Sequence, residues 1–270
     1  MTAGAAAGAG TEAGGRVFIT GASSGIGAAL AREYAARGAT LGLLARRGDA
    51  LAALAASLPH PERHRTYAVD ILDHAALAAA ADDFLRAAGG ADIVIACAGI
   101  SYGTLTERPD DLPVFASVFA TNVNALVATF APFIAPMKGQ AGSRRLVAIG
   151  SVAGVRGMRG AGAYCASKAA VRVYCESLRL ELKRSGIRVV TIAPGYIDTP
   201  MTRNNRFPMP FLMPADRFAA AAARAIARGD SYRVLPWQMG LVARLLGALP
   251  NALFDFLFSR APTKGRKEAA

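Results

Sequence analysis

A single doubly wound parallel α/β sheet with helices on both faces is the architecture this chain predicts. Three observations carry it. Short apolar runs of strand type alternate with longer stretches of helical period from residue 16 to residue 236. The first run passes directly into a glycine-rich turn and then a helix pattern, the order in which open parallel sheets build a phosphate site. The length, 270 residues with 53% apolar, suits one sizeable core better than two.

The first strand candidate, residues 16–20, precedes GASSGIG. There Gly21 permits a tight turn, Gly25 lets backbone approach a pyrophosphate, and Gly27 allows the next helix to pack closely. That helix ends at Gly38. The second strand, 40–45, ends in Ala45 rather than in the acid that takes the ribose hydroxyls of NAD, and Arg46 and Arg47 follow. A guanidinium fork at this place suits a 2′-phosphate, so the expected cofactor is NADP(H), with Arg46 as its contact. Two solvated arginines at a helix start are the plainer alternative.

The third strand, 66–70, ends in Asp70, where Asp70 or Asp73 can also serve as a helix N-cap. The fourth spans 92–96 and enters Cys97-Ala98-Gly99. The fifth, 145–149, is followed by Gly150-Ser151, which puts a serine hydroxyl where open sheets bind ligands. The sixth spans 187–193 and the last 231–235.

Tyr164 and Lys168 stand four residues apart in a segment of helical period, which places both side chains on one face. Such a pair can make a base. A phenol titrates near ~10, and poising it near ~7 takes about 4 kcal/mol in favour of the phenolate. One positive charge at about 5 Å supplies roughly 3 kcal/mol at an effective dielectric of ~20, but under about 1 kcal/mol in water. The lysine therefore suffices only in a dry site with a second positive charge helping. Without such company the pair is an ordinary amphipathic helix.

TGASSGIG at 20–27 and Ser151 with Tyr164-Cys165-Ala166-Ser167-Lys168 resemble the motifs of the short-chain dehydrogenase/reductase family, over about residues 16–236. The resemblance implies a Rossmann-type fold and hydride transfer between NADP(H) and a carbonyl or alcohol. It assigns catalysis to Asn122, Ser151, Tyr164 and Lys168, with Asn124 the competing choice for Asn122. It implies that Gly21, Ser23, Ser24, Gly25, Ile26 and Gly27 hold the cofactor, joined by Asp70 and Ile71 near the adenine. Ala98, Gly99, Tyr164, Lys168, Pro194, Gly195, Ile197 and Thr199 complete the set toward the nicotinamide. It also implies a homodimer or homotetramer. One departure stands out: the family usually has Asn-Asn-Ala-Gly where this chain has Ala96-Cys97-Ala98-Gly99. That change leaves room for a rival reading, a non-catalytic NADP(H)-binding sensor or scaffold on the same fold.

Within 195–214, the proline-rich MTRNNRFPMPFLMP occupies the position of a lid and argues against a regular element. Met201, Phe207, Met209, Phe211, Leu212 and Met213 would make a flexible apolar wall, hence an apolar substrate. Beyond it, residues 237–270 form an amphipathic extension and a basic tail. Its helix has three open placements: over the pocket, against another subunit, or on a membrane surface through 237–260.

Several readings are set aside. Gly21 to Gly25 also spells a hydrolase nucleophile elbow, yet that fold needs an acid and a histidine afterwards, and no histidine follows His74. His60, His64 and His74 lack partners at ligand spacing, so no metal is expected. The charge of +12 is scattered, without a basic run interleaved with aromatics, which argues against nucleic acid. Residues 112–137 carry no formal charge, but Asn122, Asn124 and three prolines make a buried or interface helix the expectation. Three cysteines without C-x-x-C spacing and the lack of a leader pattern suggest a reduced, cytoplasmic chain, with peripheral membrane association open. Residues 1–15 are low-complexity and expected to be disordered.

Overall fold

A computed structural model of the chain describes residues 15–203, 205, 207–260, 263, 265 and 266. The expectation for residues 1–14 lies outside the described residues. Gly15, its neighbour, accepts the Thr40 N–H at 2.9 Å.

Seven parallel strands form one sheet. In chain order they begin with β1 (Arg16–Thr20), helix α1 (Gly25–Ala36), β2 (Thr40–Ala45), α2 (Gly48–Ser57), β3 (Arg65–Ala68), α3 (His74–Ala88) and β4 (Ile93–Ala96). Then come α4 (Leu112–Phe119), a π turn (Ala120–Asn124), α5 (Ala125–Lys138), β5 (Arg144–Ile149), α6 (Gly162–Glu181) and β6 (Ile187–Pro194). A two-residue pair, β7 (Ile197–Asp198) and β8 (Met213–Pro214), flanks a short α7 (Pro200–Arg203). The chain closes with α8 (Ala215–Arg228), β9 (Tyr232–Leu235), α9 (Trp237–Ala248) and α10 (Asn251–Phe258).

The strand order is β3-β2-β1-β4-β5-β6-β9. Winding proceeds outward from β1 in one direction and, from β4 on, in the other. The crevice between β1 and β4 is therefore the topological switch point, where such sheets bind ligands.

Strand alternation divides the core into two layers. Val17, Ile19, Val147, Val190 and Ile192 face α1 and α8. Phe18, Val94, Leu146, Ala148 and Val189 face α3, α5 and α6. In the second layer Phe18 meets Phe84 and Phe133 at ring-centroid distances of 5.5 and 5.0 Å. Gly42 in β2 makes room for them, since a Cβ there would lie 2.6 Å from the Phe18 ring and 2.7 Å from the Phe84 ring. Gly42→Ala is expected to cost about 1–3 kcal/mol by overpacking, read as a lower urea midpoint at unchanged slope. An unchanged midpoint would show that these rings can shift freely.

The helical stretch from Pro109 to Lys138, without formal charge from residue 112 to residue 137, is long and apolar enough to cross a membrane by length and composition. In the fold it lies on the sheet, with Phe130, Phe133 and Met137 fully buried in the second core layer.

Two segments differ from expectation. The lid contains two short regular pieces, α7 and β8, because Met213 donates its N–H to the Tyr196 carbonyl and pins the loop's end beside β6. The C-terminal helix is broken in two, α9 and α10, bent by 119°. Pro250 causes this: it lacks an N–H and holds Leu249 extended (ψ 132°). Along the pair Trp237, Leu241, Leu245, Leu253, Phe256 and Leu257 are exposed. By composition the pair also qualifies as a broken span, which is weak evidence alone.

Candidate active site

The site begins where β1 stops. Gly21 (φ +69°) and Gly25 (φ +54°) adopt backbone conformations that favour glycine. A Cβ on Gly21 would fall 2.8 Å from the Ala98 backbone, and one on Gly27 would fall 2.3 Å from the Gly21 carbonyl oxygen. Thr20 ties this turn to the end of β4, its Oγ1 accepting from the Cys97 and Ala98 N–H groups at 3.2 and 3.4 Å. The small residues after β4 keep this approach open although the family's amides are absent.

Helix α1 starts at this turn with no side chain capping it. Its first N–H groups, with the positive end of the helix dipole, are left for an anion. A cavity of about 800 Å³ runs from the turn across the switch point. Gly21, Ser23, Ser24, Gly25, Ile26 and Gly27 line one end, and Arg46, Arg47, Asp70 and Ile71 surround the next part. Ala98 and Gly99 follow, then Ser151, Tyr164, Lys168, Pro194, Gly195, Ile197 and Thr199. Every residue expected to hold cofactor thus lines one cavity. A glycine cradle that any Cβ would fill, an uncapped helix start and two arginines fit a phosphorylated dinucleotide.

Asp70 sits in a turn beyond β3, accepting the Leu72 N–H at 3.0 Å, while Asp73 caps α3 through the Ala76 N–H at 2.9 Å. Of the two, Asp73 is the helix N-cap. Arg47, which the sequence reading did not select, reaches across to the Ser23 hydroxyl at 3.1 Å. Its signal was its place beside Arg46; which of two adjacent arginines crosses to the glycine turn is not written locally.

At the other end, Ser151 leaves β5 and caps a single 3-10 turn, its Oγ accepting from the Ala153 N–H at 3.1 Å. A hydrogen bond links Ser151 to the Tyr164 phenol. Lys168, one turn along α6, is buried and donates to the Ile149 carbonyl at 2.9 Å, with its Nζ 5.8 Å from the Tyr164 ring centroid. Gly154 sets this spacing, because a Cβ on it would meet the Lys168 backbone at 2.7 Å.

Asn122 lies in the π turn and is 1% exposed, whereas Asn124 is exposed. Its side chain accepts from the Ile100 N–H at 2.9 Å and donates to the Ile100 carbonyl and to Ser167 Oγ, both at 3.0 Å. Ser167 in turn donates to the Tyr164 carbonyl at 2.8 Å. This fully buried serine, quoted within the Tyr–Lys motif but given no role there, couples the π turn to the catalytic helix. A Cβ on Gly99 would come within 3.2 Å of Asn122 Oδ1 and 3.7 Å of Lys168 Nζ, so these groups converge behind the cavity floor.

Acidification of the phenol by Lys168 requires a second positive charge; in the chain by itself burial pushes the Tyr164 pKa up, with the Ser151 hydrogen bond opposing. Burial also pulls Lys168 down to about 8, with Cys97 and Cys175 opposing. The ammonium is turned to the Ile149 carbonyl, and dehydration is the largest influence on both groups.

Of the expected apolar lid wall, Met201 lines the cavity, Phe207 packs on Tyr196 at 6.2 Å between centroids, and Phe211 and Leu212 are exposed. Helix α9 packs behind the loop at Gly195, where a Cβ would lie 2.6 Å from Met239 Cγ. Neither α9 nor α10 contributes to the cavity lining, so of the three placements the one over the pocket is not seen in the single chain.

A glycine turn feeding an uncapped helix at the switch point, with buried polar chemistry at the far end of one cavity, defines a nicotinamide-nucleotide oxidoreductase. The chain belongs to the short-chain dehydrogenase family: residues 16–209 match the family model described as short chain dehydrogenase. It is 36% identical over 248 residues to an uncharacterized oxidoreductase of Myxococcus xanthus, covering 88% of this chain and 94% of that protein. It is 36% identical over 193 residues to the 2-dehydro-3-deoxy-L-rhamnonate dehydrogenase (NAD(+)) of a Sphingomonas strain, covering 72% and 76%. A Burkholderia phymatum short chain dehydrogenase/reductase in complex with NAD superposes with a TM-score of 0.78 at 26% identity, covering 94% of this chain and 98% of that one.

Proposed function

We propose that the chain is an NADP(H)-dependent oxidoreductase that interconverts an apolar carbonyl compound and its alcohol, with Tyr164 as the proton donor and acceptor. The observation that carries this reading is the convergence of Ser151, Tyr164, Lys168 and Asn122 at one end of the cavity that the glycine turn opens. The nicotinamide cofactor, when bound, supplies or accepts the hydride and, in its oxidised form, adds a positive charge beside the phenol.

Everything else falls to the chain's own groups. In the reducing direction the raised Tyr164 pKa keeps the phenol protonated and ready to donate to the substrate oxygen. The Ser151 hydroxyl orients that oxygen. Lys168 holds the ribose and adds positive charge, and Asn122 with Ser167 anchors the helix at the proton's exit side. Arg46 and Arg47 support NADP(H), since a guanidinium fork gains a bidentate partner from the 2′-phosphate. An apolar substrate is supported by Ile100, Tyr102, Ile149 and Met201 along the cavity wall.

The test is consumption of NADPH and of NADH over a panel of 2-decanone, decanal, acetophenone, fructose and dihydroxyacetone. We expect turnover of the apolar carbonyls with NADPH, and a preference over NADH of at least about tenfold that Arg46→Ala with Arg47→Ala removes. Equal use of NADH would defeat the cofactor assignment. Comparable turnover of the ketoses would defeat the substrate class, and tight NADPH binding with no turnover anywhere would leave a nucleotide-binding protein without catalysis.

A further inference from the structure

The carboxylate of Asp111 is buried (4% exposed), lies outside the cavity lining, and the reaction outlined above does not use it. Its partner comes from the end of the chain. Arg266 donates through Nε to Oδ1 and Oδ2 at 3.1 and 3.0 Å and through its terminal nitrogen to Oδ1 at 2.8 Å, a forked pairing across 155 residues. The same carboxylate accepts the Leu105 N–H at 2.8 Å. Beside it Gly103 donates its N–H to the Gly265 carbonyl at 2.9 Å, and Gly103 and Arg266 form a parallel bridge.

The contacts continue toward the catalytic helix. Thr104 donates its N–H to the Gly160 carbonyl at 3.0 Å and bridges to Ala161, and its Oγ1 accepts from the Ala163 N–H at 3.4 Å. Gly160, at φ +69°, lies under Thr263, where a Cβ would come within 2.9 Å of the threonine Cβ. The tail is thus layered on residues 103–105, which are layered on residues 160–163, and Tyr164 is next in the chain. Ile100 and Tyr102, on the first of these loops, line the cavity.

We propose that the C-terminal tail, through Thr263, Gly265 and Arg266, is a strap that holds both walls of the substrate end, with Arg266 acting through Asp111 as a positioning residue. This rests on the reading of that end as the substrate site. The physical reason is that Thr104 joins the two loops through its backbone contacts to Gly160 and Ala161, and the tail braces residues on both sides of that junction. The fork of Arg266 adds two geometrically fixed bonds to a carboxylate that itself anchors the loop backbone, and the pair is shielded from water on the aspartate side.

Hydrogen–deuterium exchange on the full chain, comparing wild type with Arg266→Ala and Arg266→Lys, tests this. In Arg266→Ala, amides in 100–105 and 156–162 should exchange about tenfold faster while those in β4 and β5 stay unchanged. Arg266→Lys, which keeps the charge but not the fork, should fall between. With the most readily reduced ketone of the panel, KM should rise several-fold at an NADPH Kd within about twofold of wild type. Unchanged exchange in both loops, or equal acceleration throughout β5, overturns the strap. If Arg266→Ala does not accumulate folded, Arg266→Lys decides by the same comparison. Should no ketone turn over, the exchange data still settle the strap, and the missing turnover counts against the enzyme reading alone.

Discussion

Replacing Tyr164 by Phe is expected to lower turnover by about 10²–10⁴-fold while leaving NADPH binding nearly unchanged. That range is what positioned proton transfer contributes, about 3–5 kcal/mol of barrier. The ring of Phe keeps the packing at the start of α6 and its place 5.8 Å from Lys168 Nζ. Only the hydroxyl goes, and with it the hydrogen bond from Ser151 and the proton for the substrate oxygen. Stopped-assay turnover with the apolar ketones, beside nucleotide titration by fluorescence, separates the two effects. Near-normal turnover would place the proton elsewhere and remove Tyr164 from the mechanism.

The second large effect concerns Lys168 and has opposite signs for activity and stability. Lys168→Met should lose most turnover yet make the cofactor-free protein more stable at pH 7. The sign follows from the titration. Burial holds the lysine near 8 in the folded chain, against 10.5 as its ordinary value. Below about pH 8 the ammonium is charged in both states and folding bears the full dehydration cost, about 3 kcal/mol at roughly 1.4 kcal/mol per factor of ten. Between about 8 and 10.5 the folded chain sheds the proton first, so wild-type stability recovers with rising pH, and above 10.5 this cost is gone. Methionine removes the charge but also the bond to the Ile149 carbonyl, which offsets about 1 kcal/mol. The expected gain is about 2 kcal/mol at pH 7, disappearing toward pH 10.5. Urea unfolding at pH 7 and pH 10 measures it; a variant less stable than wild type at pH 7 would show that Lys168 sits in a well-solvated or well-paired place.

Both predictions concern residues that are legible in the sequence, because their relation is local. Tyr164 and Lys168 share a helix face at four-residue spacing, and Gly21, Gly25 and Gly27 follow a strand and open a helix within one unit. The turn of β2 into Arg46 and Arg47 was equally visible, but the reach of Arg47 to Ser23 joins two loops that the sheet brings together. The choice of Asn122 over Asn124 depended on the π turn, which rotates one asparagine into the core and leaves its neighbour but one outside. The bend at Pro250 follows from proline's missing N–H, whereas the leucines at helical spacing before it favour one continuous helix.

The amino-acid sequence by itself determined the doubly wound sheet, the dinucleotide turn and the pairing of phenol with ammonium, since each is set by periodicity and spacing within a few residues. The tertiary structure alone decided the direction in which burial shifts that pair and the bond between Asp111 and Arg266. Dehydration depends on everything packed around a group, and a contact spanning 155 residues leaves no local pattern to read.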